Sequence, residues 1–226
     1  MNEGHTKLTV TDKDYRINTL AKLAHKSPVS QHEFWESIYA AGEPAWDLGS
    51  ATPVFQDLIA MGDIKPGKIC LPGSGLGYDA VLFAQNGFDV TALEFSATAV
   101  RHQRELADAA KVEIDIIECD FFNLPERLLG NFDAVVEYVT LCAVDPVRRT
   151  DFARVMLNLL KPDGLYISLL FPIEDRPGGP PYGLNELETI ETFESVGFTL
   201  GSARSHFATI KPRRGREKLM VFKKPA

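Results

Sequence analysis

Cysteine and long apolar segments are both scarce in this chain of 226 residues. The three cysteines, Cys70, Cys119 and Cys142, are odd in number and widely spaced in apolar surroundings, which suits a reducing compartment better than a disulfide framework. No apolar run approaches the roughly 20 residues that span a membrane, and residues 1–15 lack the features of an export signal or transit peptide. We therefore expect a cytoplasmic protein with no membrane partner.

Positively charged residues are also fewer than negatively charged ones. The sequence has 24 Lys and Arg residues against 31 Asp and Glu residues, a formal net charge of -7 at pH 7, so attraction to nucleic acid is not expected to dominate binding. We interpret the basic run from Lys211 to Lys218 as a solvated hairpin turn. The five histidines are isolated and lack the spacing of metal ligands. We expect a monomer with a small-molecule or anionic partner, no nucleic acid and no metal.

A glycine-rich turn lies at the centre of the sequence pattern. The segment Lys68–Tyr78, KICLPGSGLGY, begins as a short apolar strand, and the apolar spacing of Tyr78–Gln85 indicates a helix. Between them, Gly73, Gly75 and Gly77 alternate with other residues. Glycine adopts backbone angles that other residues resist, and it lets a ligand approach the unpaired amides at the helix start. This turn predicts a site for a nucleoside-type ligand.

Strands and helices alternate after this turn. Strands are predicted over 88–94, 112–118, 132–138 and 165–171, and helices over 96–110, 145–161 and 185–196. This alternation predicts a parallel, doubly wound sheet, because parallel neighbours need helical crossovers. The last two strands, over 198–207 and 217–222, are joined by a short basic link that predicts an antiparallel hairpin. We expect one α/β domain over 1–226, with an arm and lid at 1–50, a core at 51–226 and a seven-stranded, mostly parallel sheet.

The segment before the core is rich in aromatic residues. Ser30–Glu33 has the S-x-x-E spacing of a capping box and predicts a short helix containing Trp35. Thr52-Pro53 predicts a second helix with threonine as its cap, and a weak helix is expected over Asp14–Lys26. With Trp46 nearby, the segment is interpreted as a helical lid. The alternative is that the tryptophans only anchor the arm to the core.

Residues at the strand ends bear on the identity of the ligand. Glu94 ends the second strand about 20 residues past the glycines, where a carboxylate accepts hydrogen bonds from both ribose hydroxyls of a nucleoside. Tyr78 stands where the dinucleotide pattern G-x-G-x-x-G has its third glycine, which disfavours binding of a pyrophosphate. S-adenosylmethionine, which has no phosphate, fits better. Asp120 and Phe121 follow the third strand and are predicted near the adenine, with core packing an equal alternative for Phe121. An NAD-type oxidoreductase remains an alternative function.

Seven stretches, taken together, resemble one family. They are FWESIYAAGEPAWDLGSATP, LPGSGLGYDA, ECDFF, EYVTLCAVDPVRR, LKPDGLYISLLFP, GGPPYGL and RRGREKL. The set resembles the thiopurine methyltransferase superfamily, and within it the plant-type halide and thiol methyltransferases. The resemblance implies a doubly wound, Rossmann-like class I fold that uses S-adenosylmethionine. It also implies an acceptor that is a small soft nucleophile: a halide, thiocyanate, hydrosulfide or thiol.

The same resemblance implies roles for individual residues. Its donor-binding residues are Trp35, Trp46, Gly73, Gly75, Glu94, Asp120, Phe121 and Tyr138. The two tryptophans would close over the methionine end of the donor. Tyr138 would be the catalytic residue, facing the acceptor and donating its hydroxyl to the incoming anion. A soft anion arrives already ionised, so in-line displacement in a dry aromatic site requires little acid–base machinery.

Four further residues are predicted to contact the acceptor: Tyr39, Thr140, Leu141 and Tyr182. Tyr39 stands where plant-type members usually carry another tryptophan, and Thr140 and Leu141 stand where the family often has two phenylalanines. If Thr140 and Leu141 face the acceptor, they predict a wider or more polar pocket, which puts a preference for halides in doubt and is compatible with thiols. Tyr182 would either cover the acceptor or fill its own loop. A catalytically silent donor-binding protein and an RNA methyltransferase remain alternatives.

Overall fold

The computed structural model describes residues 28–42, 44–205 and 207–226. Within them the helices are α1 His32–Ala40, α2 Pro53–Ala60, α3 Tyr78–Gln85, α4 Ala97–Ala110, α5 Arg149–Leu159 and α6 Glu186–Ser195. The strands are β1 Lys68–Pro72, β2 Asp89–Glu94, β3 Asp115–Glu118, β4 Phe132–Tyr138, β5 Leu160–Leu170, β6 Thr199–Arg204 and β7 Lys218–Lys223. None of the helices in this described part is long and apolar enough to cross a membrane. The helix predicted over Asp14–Lys26 lies outside the described residues.

All seven strands form one sheet in the order β3-β2-β1-β4-β5-β7-β6. The neighbours among β1 to β5 pair in parallel, whereas β7 is antiparallel to both β5 and β6. The strand order reverses between β1 and β4, and in doubly wound sheets ligands bind beyond the carboxyl ends of the strands at this point. The predicted doubly wound α/β fold with antiparallel C-terminal strands is confirmed.

Apolar side chains cover both faces of the sheet. Successive strand residues belong to different clusters, as Ile69 and Cys70 show, because side chains alternate across a strand. One cluster includes Phe152 and Phe193 from α5 and α6, and the other includes Phe55 from α2. Helices thus lie on both faces and leave the carboxyl ends of the strands to form the site.

Two predicted helix caps differ in the structure. Helix α1 begins at His32 with Gln31 as its N-cap, so Ser30 and Glu33 do not form the predicted capping box. Thr52 does occupy the N-cap of α2, but its hydroxyl donates to Asp79 Oδ2 at 2.8 Å instead of capping its own helix. A carboxylate is the stronger acceptor, and the bond ties α2 to the first turn of α3.

The connection between β6 and β7 is longer than the predicted tight turn. It covers residues 205–217, and its basic run is not simply solvated. Arg213 is only 6% exposed, and the Arg216 guanidinium pairs with Glu174 at 2.9 Å. The interpretation of this segment as a solvated hairpin turn is wrong at Arg213, because long-range contacts bury that residue.

Candidate active site

A cavity of about 210 Å³ opens at the carboxyl ends of β1, β2 and β4. Its lining combines the glycine turn after β1 with the loop after β3, the segment around α1, the loop after β4 and Arg213. Ten of the predicted site residues line it: Trp35, Tyr39, Trp46, Gly73, Gly75, Glu94, Asp120, Phe121, Tyr138 and Thr140. Leu141 and Tyr182 do not. Residues widely separated in sequence therefore meet in one concave, largely aromatic space.

The glycine turn requires glycine for two separate reasons. Gly73 has φ 62° and Gly75 has φ 58°, both in the left-handed region that other residues avoid. In addition, a Cβ atom at Gly73 would lie 2.7 Å from Thr140 Cγ2, closer than packed atoms approach. The turn therefore exposes its main chain to the cavity, and β1 and β4 approach each other closely there.

Glu94 holds the glycine turn against the end of β2. One carboxylate oxygen accepts the Gly75 amide at 2.8 Å, and the other accepts the amides of Phe95 and Ser96 at 2.7 and 3.0 Å. The side chain is 5% exposed. Burial raises the pKa of Glu94 to about 6, although the three amide bonds oppose this shift. The predicted ribose acid is thus also a structural brace.

Three aromatic side chains form the wall contributed by the predicted lid. Trp35 and Tyr39 are four residues apart on α1 and so share a face, and Trp46 meets each of them edge-on with ring centroids 5.8 Å apart. Trp35 Nε1 also donates to the Val29 carbonyl at 2.8 Å. The tryptophans therefore both anchor this segment and line the cavity. Tyr39 lies against Gly75, since a Cβ added there would approach its hydroxyl to 3.2 Å.

Glu36 fastens α1 to the start of α4. Its carboxylate accepts the Ser96 hydroxyl at 2.6 Å, the Thr98 amide at 3.1 Å and the Thr98 hydroxyl at 2.5 Å. Desolvation raises its pKa, but these hydrogen bonds outweigh it and the pKa of Glu36 falls to about 2. The ionised carboxylate thus holds the aromatic wall in place.

Asp79 is a second acid at the cavity and is partly buried. It lies in the first turn of α3, where it accepts the Thr52 amide at 2.6 Å as well as the Thr52 hydroxyl. Burial raises the pKa of Asp79 to about 6 against the effect of these bonds. The sequence pattern around Asp79 does not indicate a site, because an acid in the first turn of a helix is common and needs no ligand to explain it.

The loop after β3 forms the opposite end of the cavity. Asp120 turns its carboxylate back on this loop, accepting the Phe122 amide and the Asn123 side chain, each at 2.9 Å. Phe121 packs edge-on against Phe152 of the core and also lines the cavity. The two readings of Phe121, core packing and ligand contact, are therefore compatible.

Tyr138 is hydrogen-bonded differently from its predicted role. It ends β4 and lines the cavity, but its hydroxyl donates to Glu217 Oε1, which lies just before β7. Glu217 also accepts the hydroxyl of Thr209. Burial and the adjoining carboxylate raise the pKa of Tyr138, so it stays a phenol. In this structure the phenolic hydrogen bond is directed at Glu217, so the donation of this hydroxyl to an incoming anion stays a prediction.

Arg213 brings a buried positive charge to the cavity. Its Nη2 donates to the Trp46 carbonyl at 2.5 Å, and the guanidinium carbon lies 4.8 Å from the ring centroid of Tyr138 and 4.9 Å from that of Phe171. Its Nη1 is buried and has no hydrogen-bond partner within the described part of the chain. Buried guanidinium groups are ordinarily paired, so this atom offers a donor to an anion.

The predicted acceptor residues are placed differently from one another: Thr140 lines the cavity, whereas Leu141 and Tyr182 do not. Thr140 lines the cavity, but its hydroxyl donates to the Pro72 carbonyl at 3.0 Å. Leu141 is 2% exposed and belongs to the core. Tyr182 lies against Gly179 in its own loop, and its amide donates to the Cys142 carbonyl at 2.7 Å. The placement of Leu141 in the pocket is therefore wrong, the contact of Thr140 with an acceptor stays a prediction, and Tyr182 fits the second of its two predicted roles by filling its loop.

Arg213 and Glu217 were the main functional candidates that sequence reasoning missed. Both lie in RRGREKL, one of the stretches that carried the family resemblance. Their local surroundings indicate a charged surface turn, and their partners Trp46 and Tyr138 lie far away in the sequence. Only the resemblance of this stretch could have drawn attention to them.

These features define the class of the protein. The strand order, the glycine turn at its switch point and the acid ending β2 are those of a class I S-adenosylmethionine-dependent methyltransferase fold. A solved 1,6-didemethyltoxoflavin-N1-methyltransferase from Burkholderia thailandensis, with bound S-adenosylhomocysteine, matches it with a TM-score of 0.66. That match covers 99% of this chain and 94% of that chain at 17% identity, and it shows the fold.

Sequence comparison places the chain more narrowly. The family model of thiopurine S-methyltransferase (TPMT) matches residues 30–223. A probable thiol methyltransferase 2 from Arabidopsis thaliana is 36% identical over 192 residues, 84% of each chain. Thiocyanate methyltransferase 1 from Brassica oleracea is 34% identical over 192 residues, again 84% of each. The chain therefore belongs to the thiopurine S-methyltransferase family, and the resemblance inferred from its motifs is confirmed.

The residues at the cavity fit the methyl donor that this family implies. A side chain at Gly73 would fill the space beside the main chain, and glycine leaves that space to a ligand. Aromatic rings of the kind that attract a sulfonium cation line the wall beside it. Glu94, the residue predicted to bind the ribose hydroxyls, also lines this cavity.

Proposed function

We propose that this protein is an S-adenosylmethionine-dependent methyltransferase whose acceptor is a small soft nucleophile: a thiol, hydrosulfide, thiocyanate or halide. The observation that carries this proposal is Arg213, a buried cation with an unpartnered Nη1 donor in an aromatic cavity. A large polar acceptor would need many polar partners, whereas a small anion or thiolate needs one cation and a dry wall.

The donor end of the cavity is assigned to residues of three strand ends. Gly73 and Gly75 form the cradle for the donor, Glu94 binds the ribose hydroxyls, and Asp120 and Phe121 contact the adenine. When bound, S-adenosylmethionine supplies an electrophilic methyl group on a sulfonium, which a nucleophile takes in one in-line displacement.

The chain's own contribution at the acceptor end is to position charge and exclude water. Trp35, Trp46 and Tyr138 present aromatic faces to the sulfonium, an attraction of about 0.5 to 2 kcal/mol. Arg213 pairs with the acceptor anion after its hydration shell is lost. Removing water from a soft nucleophile raises its reactivity toward the methyl carbon. The names of the thiol and thiocyanate relatives support this class of acceptor.

An acceptor panel with methyl-labelled donor tests the proposal. Iodide, thiocyanate, hydrosulfide, a small organic thiol and a thiopurine are each incubated with the protein, and labelled methyl product is measured alongside demethylated donor. We expect matched amounts of both with at least one soft nucleophile. Donor binding without product from any acceptor would instead indicate a catalytically silent donor-binding protein. Tight binding of a nicotinamide dinucleotide would indicate an oxidoreductase.

Binding to nucleic acid is not part of the proposal. The basic run before β7 is largely occupied by protein contacts: Arg213 bonds to Trp46, Arg216 pairs with Glu174, and Lys218 pairs with Glu186 at 2.9 Å. The net charge of -7 further opposes association with a polyanion.

A further inference from the structure

Tyr138 and Glu217 connect the acceptor end of the cavity to a second cavity. Tyr138 lines the first cavity and donates to Glu217. Glu217 and its other partner, Thr209, line the second cavity together with Arg214. Glu217 itself is 8% exposed. A continuous chain of hydrogen-bonding groups therefore runs from the acceptor position through the protein wall.

The direction of the Tyr138 hydrogen bond determines what this chain can do. Because the phenolic proton is donated to Glu217, the oxygen of Tyr138 is left with lone pairs and acts as an acceptor. Tyr138 stays a phenol, so a proton can be added to its oxygen only as the original proton leaves for Glu217. In this arrangement the Tyr138 oxygen can take a proton from an acceptor molecule beside it, and it is not set up to donate one.

A thiol acceptor must lose a proton before it can attack the methyl group, whereas thiocyanate and the halides have none to lose. At neutral pH only a few per cent of an ordinary thiol is present as the thiolate. Thiocyanate and iodide carry their charge at every pH in the working range. Proton removal would thus be useful for one part of the proposed acceptor class only.

We propose that Tyr138 and Glu217 form a proton relay that ionises a neutral thiol acceptor, an inference that rests on the proposed function. The thiol S–H bond breaks, its proton passes to Tyr138 Oη, and the Tyr138 proton passes to a Glu217 carboxylate oxygen. The thiolate sulfur bonds to the methyl carbon, and the electron pair of the broken sulfonium–methyl bond stays on the departing thioether sulfur. Glu217 then releases its proton to water in the second cavity, so one proton is produced per methyl transferred.

The charges around the relay stabilise its final state, a thiolate beside Arg213 and an ionised Glu217 that has released its proton. Among the described residues, the charged groups facing it are Arg213, over the Tyr138 ring, and Arg214, across the second cavity from Glu217. Phe55, which packs edge-on against the Tyr138 ring, carries no charge. Arg213 has the unpartnered Nη1 that can bind the new thiolate, and so stabilises the product of proton transfer.

The test is a comparison of acceptors with Glu217→Gln. Turnover (kcat/KM) is measured for a small organic thiol and for thiocyanate at about pH 6.5 and about pH 9.5, on either side of an ordinary thiol pKa of about 8.5. We expect the ratio of thiol to thiocyanate turnover at the lower pH to fall on the order of 10- to 100-fold. The loss should shrink at the higher pH, where the thiol ionises unaided. Glu186→Gln, which removes an equal charge from the neighbouring ion pair with Lys218, should leave the ratio unaltered.

Tyr138→Phe provides a second variant in case Glu217→Gln disturbs the local fold. If Glu217→Gln no longer binds the donor, the same ratio is read with Tyr138→Phe, which keeps the ring. The relay would be overturned if the variants had the same ratio of thiol to thiocyanate turnover as the unaltered protein at both pH values, or if both turnovers fell by the same factor. Either result would leave the methyltransferase proposal standing. Absence of methyl product from the unaltered protein with every acceptor would overturn both.

Discussion

The donor end and the acceptor end of the cavity are built from different parts of the chain. Gly73 and Asp120 come shortly after β1 and β3, and Glu94 ends β2; these three strands are adjacent in the sheet and consecutive in the sequence. At the acceptor end, Tyr138 ends β4, while Arg213 and Glu217 belong to the long connection before β7. The donor end therefore depends on local strand-to-helix geometry, and the acceptor end depends on distant contacts.

The two ends also differ in how their charges are satisfied. Glu94 already accepts hydrogen bonds from three backbone amides, whereas Arg213 has a buried nitrogen without a partner in the described chain. A satisfied group stabilises the fold, and an unsatisfied one gains most from a ligand. Changes at the donor end should therefore lower stability and donor affinity together. Changes at the acceptor end should mainly lower turnover.

The largest effect is expected from Gly73→Ala at the donor end. The new Cβ would lie 2.7 Å from Thr140 Cγ2 in a backbone of φ 62°, so we expect the free energy of unfolding to fall by about 2–4 kcal/mol. Donor affinity, measured by calorimetry, should fall by at least roughly 100-fold. Gly87→Ala is the matched control: its φ is 82°, but a Cβ there meets no described atom within 4 Å. Equal losses in the two variants would contradict a steric role for Gly73.

A large effect confined to the acceptor end is expected from Arg213→Met. Hydrogen bonds to charged groups contribute about 1.5–3 kcal/mol, so kcat/KM for an anionic acceptor should fall roughly 10- to 100-fold. The donor dissociation constant should change much less. Lys211→Met removes a positive charge from an exposed residue of the same connection and should leave turnover nearly intact. If donor affinity fell as far as turnover, Arg213 would contribute to both ends of the cavity, through its hydrogen bond to Trp46.

The sequence predicted the donor end far better than the acceptor end. The glycine turn, Glu94 and the strand ends could be placed because apolar periodicity and turn residues are local signals, and parallel strands bring their carboxyl ends to one edge. Arg213 could not be placed this way. Its burial depends on the carbonyl of Trp46 and the rings of Tyr138 and Phe171, which no local pattern connects to it.

The errors at the acceptor end have the same physical origin. The side chains of Thr140 and Leu141 were both expected in the pocket, yet the turn after β4 directs only Thr140 toward the cavity and sends its hydroxyl to Pro72. The side chains of neighbouring residues in a tight turn point in different directions, and the sequence does not show which of them points into the cavity. The proton direction at Tyr138 likewise depends on a carboxylate distant in sequence.

A moderate effect at the donor end is expected from pH and from Glu94→Gln. Because the pKa of Glu94 is raised from 4.5 to about 6, the carboxylate is ionised above that pH and becomes protonated below it. Donor affinity should therefore weaken as pH falls through 6, and Glu94→Gln should lower it about tenfold at pH 7 and flatten this dependence. Asp79 also titrates near pH 6, so a remaining slope would be assigned to it. Glu118→Gln, an exposed acid at the end of β3, should leave the profile as it is.

The smallest effect is expected from Glu36→Gln, which loosens the aromatic wall without touching either end of the cavity. Its carboxylate accepts three hydrogen bonds at the start of α4, and losing a helix cap costs about 1 kcal/mol. The lowered pKa means that this stabilisation is present above pH 4.5 and is lost as pH falls toward 2. Thermal unfolding should show the difference at pH 7 and little of it near pH 2, with Glu33→Gln on the same helix as the control. If the difference grew as the solution became more acid, the carboxylate would not be the group that fastens α1 to α4.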